Sequence, residues 1–216
     1  VSAASQVNLA DVTTTGDQSI TGTNIALNGT TYASDDGNTS YTGAVQLGAG
    51  PIGIDSDADA DAIDGNISFS STIDGGQALT LDADTGTVNV AGSVGGSTPI
   101  SSLTVSAASQ VDLADVATTG AHSITGTNID LNGITYASDD GSITYSGAVA
   151  LAGAGPVTVD SDADGDATDG NIAFSSTIAL DQGLTLDAGS GEITLAGAVD
   201  GANALSLNAA GTTEIN

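Results

Sequence analysis

Apolar and small polar residues alternate along this chain in short bursts. Leu79-Thr-Leu81, Val88-Asn-Val90, Ile193-Thr-Leu195 and Ile67-Ser-Phe69 each put an apolar side chain at every second position, with Gly, Asn or Asp close by. A two-residue period over so short a stretch predicts a half-buried β-strand. No stretch carries a sustained 3.6-residue stripe, so the pattern predicts an all-β chain with essentially no helix.

The bursts belong to a larger repeat. Val1-Ser-Ala-Ala-Ser-Gln-Val7 returns as Val105-Ser-Ala-Ala-Ser-Gln-Val111, an offset of 104, which becomes 105 after a one-residue insertion near Ala152. This divides the chain into a unit at 1–104, a second at 105–204 and the opening of a third at 205–216. Within the units, similar apolar-polar-apolar segments begin at Ile20, Ile52, Leu79 and Leu103, then at Ile124, Val157, Leu184 and Leu205. Their spacings of 21 to 33 residues fit single turns of a parallel β-helix, each holding two or three strands. Variable turn loops would account for the spread. Eight or nine such turns would make one continuous rod of roughly 40 Å at about 4.8 Å per turn. Tandem β-sandwich domains are the competing architecture, because a unit of 104 residues is also the size of one sandwich.

Charge narrows the function. Of 216 residues, 27 are Asp or Glu and none is Lys or Arg, for a formal charge of −27. Such a chain lacks the cations that bind nucleic acid. It has no apolar run near the ~18 residues needed for membrane insertion. Cys is absent, so disulfides and thiolate sites are excluded. Yet 39% of residues are hydrophobic and mean hydropathy is +0.15, too apolar for a solvated acidic tail. The first residue is Val, which suggests a processed product or an excerpt of something longer.

Ser-Ile-Thr-Gly-Thr-Asn-Ile at 19–25 and 123–129, with Gly-Thr-Val-Asn-Val-Ala-Gly at 86–92, resembles the repeat regions of filamentous-haemagglutinin-like adhesins and autotransporter passengers. The resemblance is one of composition and rhythm over the whole chain. It implies a right-handed parallel β-helix displayed outside the cell as a stalk or adhesive fibre. Its partners would be a host-cell, surface or matrix ligand outside this segment, or another copy joined end to end as a fibre or sheath.

The densest chemistry is Asp55, Asp57, Asp59, Asp61 and Asp64, with its copy Asp160, Asp162, Asp164, Asp166 and Asp169. Drawn as extended chain, four carboxylates of each copy fall on one side with no cation in the protein to offset them. A hard divalent ion can do so, and Ca²⁺ takes six to eight oxygen ligands in flexible geometry. Asp160-x-Asp162-x-Asp164-Gly165 matches the first half of an EF-hand loop, but Asn171 stands where the bidentate Glu belongs. The competing reading is a solvated turn that keeps rods apart. Asp35-Asp36-Gly37 and Asp139-Asp140-Gly141 read as turns. His122, whose counterpart is Gln18, is expected in a solvent-exposed turn. No enzyme is expected: β-helix lyases resemble one another in using Arg or Lys, and the acidic clusters are duplicated where an active site would be single.

Overall fold

The structure is a computed structural model that describes residues 4–58 and 64–216. Every strand pairing among them is parallel and joins one turn of chain to the next, forming a parallel β-helix of about ten turns. Separate sandwiches, built on antiparallel pairs, are not what the chain forms.

Each turn has three faces, and a ladder of inward side chains runs along each. The first face stacks Gln18, Thr39, Ile67, Val88, Val111, Ile129, Val149, Ile178 and Val199. The second stacks Val7, Ile25, Val45, Ile73, Val94, Val116, Tyr136, Val159, Leu186 and Leu207. The third stacks Val12, Tyr32, Ile54, Leu81, Val105, Ile124, Tyr145, Phe174, Leu195 and Ile215. Away from the two ends these rungs are buried. Burying about 25 cal/mol per Å² of apolar surface on three continuous ladders holds the rod together without one Lys or Arg ion pair. Ten rungs at about 4.8 Å give a length of roughly 45 Å.

The sequence repeat does not close on a whole number of turns. The first-face ladder that starts at Gln18 reaches Ile129 in the second unit, whereas His122, the counterpart of Gln18, stands on the third face between Leu103 and Ile143. From Gln18 to His122 the chain takes fourteen face-to-face steps, or four and two-thirds turns. Equivalent residues therefore sit one face apart. Tyr41 is on the first face and Tyr145 on the third; Tyr32 is on the third and Tyr136 on the second. The same pairings correct the spacing argument. The 32 residues from Ile20 to Ile52 and the 33 from Ile124 to Val157 are not one turn with a longer loop but one and two-thirds turns each.

Tight corners make this possible. Strand Gln18–Leu27 bends from the first face to the second between Thr21 and Asn24, and strand Thr39–Leu47 bends above it. Gly43 there has φ of +129°, and a Cβ would lie 1.7 Å from the Gly22 carbonyl oxygen, so only glycine fits. Asp11 and Asp115 hold the next turns by accepting two backbone N–H bonds each, from Thr30 and Thr31 at 2.6 and 3.0 Å and from Ile134 and Thr135 at 2.7 and 2.9 Å.

One expectation fails outright. His122 is not an exposed turn residue: it is 1% exposed, inside the third face, at the start of strand His122–Leu131. Gln18 is 4% exposed. Gln18 Nε2 donates to the Ala33 carbonyl at 2.6 Å, and the imidazole makes the matching bond to the Ala137 backbone. A polar residue after a glycine turn reads as solvent-facing, but here it is the first inward rung, bonded to a carbonyl two faces further along the chain.

Candidate metal centres on the acidic corner

The corner carrying the acidic loops is built on glycine. A Cβ on Gly37 would lie 2.1 Å from Gly16, one on Gly65 2.1 Å from Gly37, and one on Gly86 2.0 Å from Gly65. Gly120, Gly141, Gly170 and Gly191 of the second unit and Gly211 of the third repeat the stack at 2.1 to 2.4 Å. Successive turns thus meet backbone to backbone. Each acidic loop leaves at the corner of its own glycine stack, third-to-first in the first unit and second-to-third in the second. An amide ladder runs beside them: Asn38 donates to Asp17, Asn66 donates to Asn38, and Thr87 N–H donates to Asn66 Oδ1.

In the first unit the structure brings together Asp57, Asp64 and Asp84, with one oxygen of each within 4.8 Å of the others. Each pair at that distance repels by about 1 kcal/mol even at the dielectric of water. Asp64 is fixed by Thr85, whose backbone N–H at 3.2 Å and side-chain hydroxyl both donate to Oδ2, while Oδ1 is buried without a hydrogen bond. Asp84 occupies a left-handed turn position with φ of +39°. Its counterpart is Gly189, φ of +47°. A non-glycine residue there is disfavoured, and its carboxylate completes the cluster.

The second unit lacks that third carboxylate. Asp162 and Asp169 instead fold over Gly189, each with an Oδ2 2.6 Å from where a Cβ would be. They share a hydrogen bond: burial and the Asp169 charge raise the pKa of Asp162, while bonds from the Ser190 hydroxyl and N–H lower that of Asp169. The pair therefore holds a proton on Asp162 more readily than an ordinary carboxylate does. Further out, Asp140, Asp164 and Asp166 place one oxygen each within 4.8 Å of one another. Burial raises the Asp140 pKa, and the charges of Asp166, Asp164, Asp139 and Asp169 add to it.

The ten carboxylates singled out in sequence thus divide by role. Asp55 and Asp160 end their strands and accept the N–H of Asp57 and Asp162 at 2.9 and 3.0 Å; burial raises both pKa values. Asp57 and Asp64 join the inner cluster, Asp162 and Asp169 pair, and Asp164 and Asp166 join the outer cluster. Asp59 and Asp61 lie outside the described residues. Residues 161–171 turn rather than extend, so the second copy forms no single row of carboxylates. Asp84 went unnoticed in the sequence and Asp140 read only as a turn residue, because each joins its cluster from a neighbouring turn. The spacing of Gly16, Gly37, Gly65 and Gly86 at 21, 28 and 21 residues was the available signal that these turns stack.

Among the described residues, two acidic clusters can therefore hold a metal ion, one inner and one outer. No helix is long and apolar enough to cross a membrane among the described residues. No protein-family model, curated protein or solved structure matches the chain.

Proposed function

We propose that this chain is a structural repeat segment of a cell-surface adhesin or stalk, an acidic rod whose corner loops are stiffened by Ca²⁺. One observation carries the reading: three uninterrupted ladders hold the rod, while two acidic clusters gather on its glycine-stacked corners. Such a body sets distance and presents loops. Hard carboxylate oxygens carried by irregular loops, rather than by a near-ideal octahedral cage, favour Ca²⁺ over Mg²⁺. Bound ions would cancel the repulsion that the all-anionic chain cannot offset itself.

Antibody raised against the second acidic loop tests the placement on the cell that makes the protein. Labelling of intact cells is the expected result; labelling only after permeabilisation would overturn it. Thermal melting in Ca²⁺ and in chelator tests the ion. A midpoint several degrees higher in Ca²⁺, by mass action on the folded state, is expected. Coincident midpoints would leave only solvated loops.

A further inference from the structure

We propose that His122 makes the second repeat unit acid-sensitive: a proton on its free ring nitrogen finds no acceptor inside the rod and unseats strand His122–Leu131, while the first unit, with Gln18 in its place, holds. The ring is 1% exposed, its hydrogen bond runs to the Ala137 backbone, and Nε2 is buried with no partner. Leu103 pairs below it and Ile143 above, and neither ionises. Tyr136, beside Ala137, and Tyr145, on the upper strand, are the ionisable side chains turned inward from the strands packed on it. Burial pushes both phenols up, so neither supplies a negative charge. Asp130 on its own strand and Asp112 on the strand below are partly exposed on the outer surface, and no carboxylate acts on the imidazole. In a chain of charge −27 the histidine is nonetheless buried with no carboxylate acting on it. Burial outweighs the Ala137 bond and holds its pKa down at about 4.

The sign follows from linkage. A histidine whose folded pKa lies below its unfolded value of about 6.5 costs nothing above that pH. As pH falls from about 6.5 toward 4, the opened state takes up the proton first, so stability is lost through this window. The opening equilibrium of the second unit rises on the order of 50-fold at pH 4.5.

Backbone amide exchange of the whole chain, corrected for intrinsic chemistry, is compared at pH 6.5 and 4.5 for wild type and His122→Gln. Expected is a loss of protection confined to strands His122–Leu131 and Thr135–Ser138 in wild type and absent in the variant, with Gln18–Leu27 unchanged in both. Equal loss in wild type and variant, or equal loss in the two units, would overturn the proposal. So would an NMR titration of wild type in which the folded imidazole takes its proton above pH 6, whatever the variant does.

Discussion

Two tyrosines at nearby places in the core should respond in opposite ways to loss of their hydroxyl. Tyr136 accepts from Gly133 N–H at 2.9 Å and donates to the Leu113 carbonyl at 2.8 Å. Tyr145 is fully buried, stacks on Phe174 with centroids 4.9 Å apart, and its hydroxyl has no partner. Tyr136→Phe removes both bonds. The Leu113 carbonyl keeps Asn132 N–H at 2.8 Å, but Gly133 N–H is left with only a 3.2 Å contact to that same oxygen. At about 1 kcal/mol per net hydrogen bond, with a further penalty for a poorly satisfied donor, the loss is about 2 kcal/mol. Tyr145→Phe keeps the ring stack and relieves a buried polar group of its desolvation, so stability should be unchanged or rise by about 1 kcal/mol. Urea unfolding at pH 7 followed by circular dichroism separates the two, provided the denaturant slopes match wild type. If Tyr145→Phe is as destabilising as Tyr136→Phe, the assignment of satisfied and unsatisfied core hydroxyls is wrong.

Other predictions follow from single contacts. Gly43→Ala, which forces a side chain against the Gly22 carbonyl at positive φ, should cost about 3 kcal/mol or more in the same urea assay. Asp115→Ala frees the N–H groups of Ile134 and Thr135 and should lower stability by about 1–2 kcal/mol, against no loss for Asp200→Ala, an exposed carboxylate. Asp84→Gly, which gives the first unit the residue of the second, should reduce the Ca²⁺-dependent rise in melting midpoint; an unchanged rise would place the ion elsewhere. Asp162→Asn in chelator should raise the midpoint at pH 7. Because the Asp162 pKa is raised, the folded state is penalised above it, so the gain should shrink as pH falls through that pKa. A gain that grows in acid would contradict the shared-proton pair.

The fold was legible because the evidence for it is local and repeated. Leu79-Thr-Leu81 or Ile193-Thr-Leu195 shows its inward face by alternation alone, and both form the strands they predict. The phase was not legible from those segments. Ile20 and Ile52 look alike, but the chain between them spends an extra strand, Thr39–Leu47, bent around a corner at Gly43. A bend inside one strand leaves no break in the alternation, so one and two-thirds turns look like a single long one. The candidate site was legible in part. Asp55–Asp64 and its copy stood out by density, but Asp84 and Asp140 enter through stacking of neighbouring turns, which no linear spacing displays. His122 was misread because its neighbours are turn-like and its role depends on a carbonyl fifteen residues on, at Ala137.

The central claim is a three-faced parallel rod in which the repeat advances by four and two-thirds turns. Cross-strand nuclear Overhauser effects on isotope-labelled protein test it most directly, because each rung touches only the next. Starting at Ser19, the contacts should pass through Ser40, Ser68, Asn89 and Asp112 to Asp130. A ladder that arrived at Ser123, the sequence counterpart of Ser19, or antiparallel contacts closing each unit on itself, would contradict the account.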